Sequence, residues 1–180
     1  MSDKPKFENA IDDLIDTKYL STALDFIAYL KSNKISITWT NTNTWKAVKK
    51  GIPLCYIKAG IEHKTGASCY TKNVDSTTEK GSWVILPHIA NLENTGAHAT
   101  DGYEEILSDV AAFDMICDKV RPCTDCGNTK KCAPGITVNF WGRELHNRCK
   151  FIALPFLDPT PEELKCAQTL ITTYYDIKSK

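Results

Sequence analysis

The chain lacks an excess of charge of either sign. Its 180 residues carry 22 basic and 22 acidic side chains, so the formal net charge at neutral pH is zero. Proteins that bind nucleic acids or anionic membranes through bulk charge carry an excess of lysine and arginine. The composition therefore predicts a protein that binds neither nucleic acid nor a membrane surface.

Long apolar runs are also absent. No stretch approaches the ~20 apolar residues of a membrane-spanning helix, and the charged start MSDKPKFEN lacks the apolar segment of a secretion signal. We therefore expect a soluble, cytoplasmic protein. In a reducing cytoplasm its eight cysteines are expected to be free thiols or metal ligands rather than disulfides.

Common motifs of catalysis and nucleotide binding are missing as well. The sequence contains no G-x-S-x-G, no P-loop, no G-x-G-x-x-G and no H-E-x-x-H. The histidines His63, His88 and His98 are scattered, and surface or core positions are the favoured interpretation for each. His88, which follows Pro87 at the end of a predicted strand, is a position where a site residue fits. The sequence leaves open whether the protein is an enzyme and names no substrate.

The spacing of apolar residues predicts that the chain begins with helices and continues with strands. Apolar residues at helical spacing predict a pair of helices over residues 7–33, with Ser21 as the N-cap of the second. From Ile35 the period changes to two, which predicts a series of short strands up to His88, one of them at Ala67–Lys72. Their short connections favour an antiparallel meander over units with crossover helices.

The second half of the chain continues this α+β pattern. Residues 103–119 are predicted to form one amphipathic helix, followed by strands at Ile136–Phe140 and Cys149–Phe156. Thr160, Pro161 and Glu163 form a capping-box start for a C-terminal helix. The sequence therefore predicts a single domain over residues 1–180, with an antiparallel sheet packed against N-terminal and C-terminal helices.

Four cysteines form the most informative motif, with the spacing C-x2-C-x5-C-x16-C inside a Cys-rich segment at residues 121–150. Zinc takes four ligands in a tetrahedron, and a C-x2-C pair followed by Gly127 suits a tight turn around a metal. We predict a structural zinc site, with His146 as a substitute for the fourth sulfur. The predicted ligands are Cys123, Cys126, Cys132 and Cys149.

Other interpretations of the cluster remain open at this point. The thiols could be unligated, could form a redox disulfide, or could bind another metal. Cysteine is among the most buried residue types, and Cys55, Cys69, Cys117 and Cys166 have the surroundings of core positions. Basic residues flank the motif in sequence and would offset the negative charge of a four-thiolate zinc site.

Aromatic residues recur on the predicted strands, where they could line one face of the sheet and hold a small organic ligand. The alternative is that they form the core against the helices. The polar segment Asn91–Gly102 is predicted to be a loop that is mobile or carries part of a site. The aromatic candidates are Trp39, Trp45, Tyr56, Tyr70 and Trp83.

These features predict a small-molecule-binding module with a structural zinc site. The alternatives are a cysteine- or metal-dependent enzyme, and a protein-interaction domain that presents the Cys-rich segment, with Lys130 and Lys131 as contacts.

Two resemblances accompany these motifs. The stretch Cys123–Cys166, with C-x2-C-G, ITVNFWGRE, NRC and EELKC, resembles the tail of a group of uncharacterised small bacterial proteins. The segment WKAVKKGIPLCYI, which starts at Trp45, is similar to YdhG-like domains of unknown function. The second resemblance implies an α+β fold, and neither implies an activity.

Overall fold

The computed structural model describes residues 5–61, 80–89, 102–123, 135–149 and 154–180. Its helices are α1 (Phe7–Leu14), α2 (Thr17–Ser32), α3 (Glu104–Ser108), α4 (Val110–Lys119) and α5 (Pro161–Lys178). Its strands are β1 (Ser36–Asn41), β2 (Thr44–Lys49), β3 (Ile52–Ile61), β4 (Ser82–Pro87), β5 (Ile136–Phe140), β6 (Arg143–Arg148) and β7 (Phe156–Leu157). No helix in these ranges has the length and apolar character needed to cross a membrane.

The strands form two antiparallel sheets. The larger sheet has the order β1-β2-β3-β4-β7, and β5 pairs with β6 in a separate hairpin. Every neighbouring pair is antiparallel. The α+β class and the antiparallel meander predicted from the sequence are therefore confirmed, while the predicted strand at Ala67–Lys72 lies outside the described residues.

One face of the larger sheet, here called the inner face, carries the core. Trp45, Ile57 and Ile85 lie in register across β2, β3 and β4, and all three are buried. The Phe7 ring of α1 lies 5.0 Å from the Trp45 ring, and Phe26 of α2 lies 6.0 Å from Trp83. Fully burying such side chains stabilises a fold by about 1.5–3 kcal/mol each, so these contacts fix the helices on the inner face.

The opposite, outer face is more polar. Lys46, Tyr56 and Leu86 lie in register across β2, β3 and β4, and none of them is buried. Because side chains alternate between faces along a strand, the residues between the core positions point to this side. The outer face is therefore the side of the sheet that offers side chains for contacts beyond the core.

The C-terminal helix begins where the sequence predicts. The Thr160 hydroxyl accepts a hydrogen bond from the Glu163 backbone N–H at 3.2 Å, and the Glu163 carboxylate accepts one from the Thr160 N–H at 3.0 Å. Pro161 occupies the first helical position. This reciprocal pairing satisfies two backbone donors that the start of a helix leaves unpaired.

The predicted boundary between the first two helices is wrong. The second helix is capped not by Ser21 but by Asp16, whose carboxylate accepts a hydrogen bond from the Lys18 N–H at 3.1 Å. The reason is tertiary: Ile15 forms a bridge with Gly81, and the Asp16 N–H donates to the Gly81 carbonyl at 2.9 Å. This contact pulls the chain out of helical geometry before α2 begins.

Two further boundaries differ from the prediction. The helix expected over residues 103–119 breaks at Asp109, which caps α4 through a hydrogen bond from the Ala112 N–H at 3.1 Å. Of the strand expected at Cys149–Phe156, residues 150–153 lie outside the described ranges. The strand that pairs with β5 is β6, which starts earlier because Trp141 and Gly142 adopt positive φ and turn the chain at once. Phe156 belongs to β7 on the larger sheet.

Candidate functional site

Two of the four predicted zinc ligands meet at the end of β6. The Cys123 N–H donates to the Asn147 carbonyl at 2.8 Å, and the Cys149 N–H donates to the Arg121 carbonyl at 2.9 Å. Pro122 and Arg148 form the antiparallel bridge between these two bonds. We call this short ladder, residues 121–123 beside residues 147–149, the neck. Cys126 and Cys132 lie outside the described residues.

The register of the neck determines where the two thiols point. Cys123 and Cys149 each follow one member of the bridged pair, so alternation directs both side chains to the same face of the ladder. Two residues in this relation are diagonal neighbours, whose Cα atoms lie roughly 7 Å apart. Two cysteine side chains joined through one zinc ion by Zn–S bonds of about 2.3 Å can span that distance. The alternation therefore places the Cys123 and Cys149 thiols on one side of the neck.

Gly135, which follows the segment that contains Cys126 and Cys132, lies against the neck. A Cβ atom added to Gly135 would lie 2.5 Å from the Cys123 Cβ and 2.5 Å from the Asn147 side-chain oxygen. Gly135 is therefore in close contact with both residues, and a larger side chain does not fit there. We call residues 123–135 the Cys loop. Its two ends, Cys123 and Gly135, are in contact, so the fold itself closes the loop.

A bulge in β6 helps to build the neck. The β5–β6 register shifts between Ile136 and Val138, and Asn147 has a φ of 51°. Bulges bend a strand and re-aim its groups, and asparagine tolerates this left-handed conformation better than most residues. In this conformation the Asn147 carbonyl accepts the hydrogen bond from Cys123.

The alternative fourth ligand, His146, is engaged elsewhere. Its Nδ1 lies 3.2 Å from the Thr137 hydroxyl, and its Nε2 lies 3.3 Å from a Glu144 carboxylate oxygen. Its side chain is 71% exposed on the surface of the hairpin. Because both ring nitrogens already contact protein groups, the geometry favours Cys149 over His146 as the fourth ligand.

A positive charge is fixed beside the neck. Nη1 of Arg148 donates to the Val120 carbonyl at 2.8 Å, at the end of α4. Nε of the same guanidinium is buried and has no hydrogen-bond partner among the described residues. A guanidinium held in this way would offset part of the negative charge of a thiolate-rich metal site.

The remaining described cysteines are in the core, as the sequence predicts. Cys55, Cys117 and Cys166 are buried, and burial raises the pKa of the Cys166 thiol to about 11. Burial raises the pKa of Cys55 further still. These thiols stay protonated at neutral pH and are poor ligands. In the described part of the chain, no group of three or more His, Cys, Asp or Glu side chains is placed to hold a metal ion.

The four predicted ligand-binding aromatics that the structure describes do not form one surface. Trp45 and Trp83 are 1% and 0% exposed, and the Trp45 indole N–H donates to the Pro5 carbonyl at 2.9 Å. Trp45 and Trp83 therefore pack in the core, as the alternative interpretation of the aromatic residues predicts. Trp39 lies opposite Trp45 and packs against the core. Tyr56 is 37% exposed on the outer face, and Tyr70 lies outside the described residues.

A group of ring contacts next to Tyr56 joins it to His88, which the sequence marks as a position where a site residue fits, and to Tyr174, which the sequence did not single out. The His88 ring contacts the Tyr56 ring at 5.5 Å and the Tyr174 ring of α5 at 5.9 Å. Its Nε2 atom is buried and has no hydrogen-bond partner within the described ranges. We call Tyr56, His88 and Tyr174 the aromatic–histidine cluster. The Pro-His pair at a strand end was its sequence signal, but the contact with Tyr174 is set by the tertiary fold. Of the predicted loop Asn91–Gly102, only Gly102 is described.

Comparison with protein-family models, curated proteins and solved structures gave no match to this chain.

The close contact at Gly135 can be tested by substitution. Gly135→Ala is expected to push Gly135 away from Cys123 and Asn147, since such overpacking costs typically 1–3 kcal/mol. The backbone amides of Cys123 and Cys149 should then exchange with deuterium faster than in the wild type. Gly142→Ala is the control, because a Cβ at Gly142 meets nothing within 4 Å and adds only the strain of its positive φ. Unchanged exchange at both amides in Gly135→Ala would contradict the geometry of the neck.

The burial of His88 predicts a pH dependence. Burial, reinforced by the positive charge of Lys46, lowers the pKa of His88 in the folded chain. As the pH falls below about 6.5, the ordinary histidine value, the unfolded chain binds the proton first, so folding stability should decrease until the lower folded pKa is passed. Urea unfolding between pH 8 and pH 4 should show this loss, and His88→Gln should reduce it. Parallel profiles for the wild type and His88→Gln would rule out this contribution.

Proposed function

We propose that this protein is a cytosolic small-molecule-binding module whose Cys loop holds a structural zinc ion. The zinc ligands are Cys123, Cys126, Cys132 and Cys149. The observation that carries the zinc site is the neck, where Cys123 and Cys149 project to one side of a short ladder. Gly135 contacts Cys123 at the same point, so the two ends of the loop that carries the other two cysteines meet there.

A structural role for the metal follows from its ligands. Four thiolates complete the tetrahedron of zinc and leave no position for water or substrate, whereas catalytic zinc sites keep one position open. The ion would join the end of α4, through Cys123, to the end of β6, through Cys149. It would thereby fasten the β5–β6 hairpin at its open end, where a short ladder of backbone hydrogen bonds and the Arg148 side chain hold it in the described residues.

The cytosolic part of the proposal is supported by the thiols. The five described cysteines, which include three in the core, are all unpaired. A chain with this many free cysteines is suited to a reducing compartment, because oxidising compartments favour disulfides.

The ligand-binding part is supported by the aromatic–histidine cluster. An unpaired polar atom buried away from water costs about 1–3 kcal/mol, and among the described residues His88 Nε2 has no hydrogen-bond partner. A bound molecule with a complementary donor or acceptor would satisfy it. Ligand sites commonly combine aromatic walls with a few convergent polar groups, and Tyr56 and Tyr174 supply the walls.

The zinc site is tested by metal content and thiol protection in protein purified without added metal. We expect one zinc ion per chain, with Cys123 and Cys149 protected from alkylation until a chelator removes the metal. Cys55 serves as the internal control, since its burial should keep it unreactive in both conditions. Mass spectrometry of the labelled peptides reads out each thiol separately. A metal-free, fully folded protein in which all four predicted ligand thiols are reactive would refute the zinc site.

Ligand binding is tested by a thermal-shift screen of small organic molecules. Compounds that raise the melting temperature of the wild type should have a smaller effect on Tyr56→Ala, which removes an exposed wall of the cluster. Leu24→Ala is the matched control, because Leu24 is an exposed apolar residue on α2. A broad screen with no stabilising compound, or hits that act equally on Tyr56→Ala, would count against the module.

A further inference from the structure

The aromatic–histidine cluster is formed by three elements that converge at one end of the sheet. Tyr56 comes from β3, His88 follows directly after β4, and Tyr174 lies near the end of α5. The His88 N–H donates to the Leu54 carbonyl at 2.8 Å, which fixes the backbone of His88 against β3. The backbone that carries the imidazole is therefore anchored to the sheet.

The rings offer faces to a flat molecule. The His88 and Tyr174 rings are close to parallel, at 28°, and the Tyr56 ring is tilted by 57° from His88. Aromatic rings bind other flat rings by offset stacking or edge-to-face contact. Tyr56 remains 37% exposed, so one wall of the cluster is accessible from solvent.

Positive charge surrounds the cluster. Lys46 lies directly opposite Tyr56 on β2, and its charge acts on His88. The Lys178 ammonium lies 6.0 Å from the centre of the Tyr174 ring, and the Lys49 ammonium lies 4.3 Å from that of Tyr175. Lys46 and Lys178 therefore lie beside the cluster, and Lys49 lies beside Tyr175, the residue next to Tyr174.

Two carboxylate side chains among the described residues belong to this end of α5: Asp176, and Glu104, whose charge interacts with that of Lys180. Asp176 lies two residues from Tyr174, which places it on the other side of α5, where its charge acts on Tyr29 of α2. The C-terminal end of a helix contributes about −0.5 charge, which is less than the combined charge of Lys46 and Lys178. The charges placed beside the rings of the cluster itself are these two lysines, and they favour an anion.

From this geometry we infer that the aromatic–histidine cluster binds a flat ring that carries an anionic group. The ring packs against Tyr56 and Tyr174, a polar atom of the ligand pairs with His88 Nε2, and the anionic group lies toward Lys46 and Lys178. This inference rests on the proposed ligand-binding function and names its site and its ligand class. An aromatic carboxylate and a nucleoside monophosphate share this chemistry.

Matched pairs of probes test the class. Benzoate is compared with benzamide, and AMP with adenosine, by titration of the full-length protein labelled with ¹⁵N-histidine. The charged member of at least one pair should bind roughly tenfold more tightly than its neutral partner and should shift the His88 imidazole resonances. Raising the salt concentration should weaken the charged probe, because exposed charges are screened.

Surface variants locate the charge. Lys46→Gln combined with Lys178→Gln should weaken binding of the charged probe several-fold while leaving the fold intact, since both side chains lie outside the core. Lys165→Gln is the matched control, because it removes an exposed lysine near the opposite end of α5 and should leave the affinity unchanged. Equal weakening by Lys165→Gln would overturn the assignment of the charge to this site.

The outcomes separate the inference from the function on which it rests. Neutral probes that shift His88 as strongly as charged ones would overturn the anionic class and leave a ligand site in place. Tight binding that leaves His88 unshifted would move the site elsewhere on the protein and overturn the inference. An absence of binding by every probe would refute the anionic-ring class. If the broad screen of organic molecules also gave no hit, the proposed binding function would fail with it.

Discussion

The fold depends on covering the inner face of the five-stranded sheet. Trp45, Ile57 and Ile85 form a buried row on that face, and helices from both ends of the chain pack over it. The Tyr29 hydroxyl of α2 donates to the Gln168 carbonyl of α5 at 3.0 Å, which joins the N-terminal and C-terminal helices directly. The sheet is therefore not covered until the last helix of the chain has docked.

This constraint determines where function can lie. Trp45 and Trp83 are buried in the core. The surfaces that remain for contacts with a ligand are the outer face of the sheet and the ends of the sheet and helices. The docking of α5 brings Tyr174 to His88, which creates the aromatic–histidine cluster. The β5–β6 hairpin lies outside the larger sheet, and the neck at Cys123 and Cys149 fastens its open end. One packing arrangement thus accounts for the position of both sites.

Local signals in the sequence were sufficient for some elements. The start of α5 was predictable because Thr160 and Glu163 satisfy each other's backbone within one turn. The meander was predictable because strand alternation and short connections are local properties. The proximity of Cys123 and Cys149 follows from a hairpin returning beside its start, but the bulge at Asn147 and the fit of Gly135 required coordinates.

Other features depend on tertiary contacts that a sequence pattern does not carry. The break before α2 arises because Ile15 and Asp16 bind Gly81, which directly precedes β4 and is far from them in the sequence. Periodicity groups Trp45 and Trp83 on one face of the sheet, but it does not tell whether helices cover that face. The sequence marks His88 by its place after Pro87 at a strand end, but the contact with Tyr174 is visible only in the structure.

The central claim is that the Cys loop is closed by four sulfur ligands on one zinc ion at the neck. Zinc K-edge X-ray absorption of the purified protein tests it most directly. The account predicts a single shell of four sulfur atoms at about 2.3 Å. A first shell dominated by nitrogen or oxygen at about 2.0 Å, or no zinc absorption edge, would contradict it.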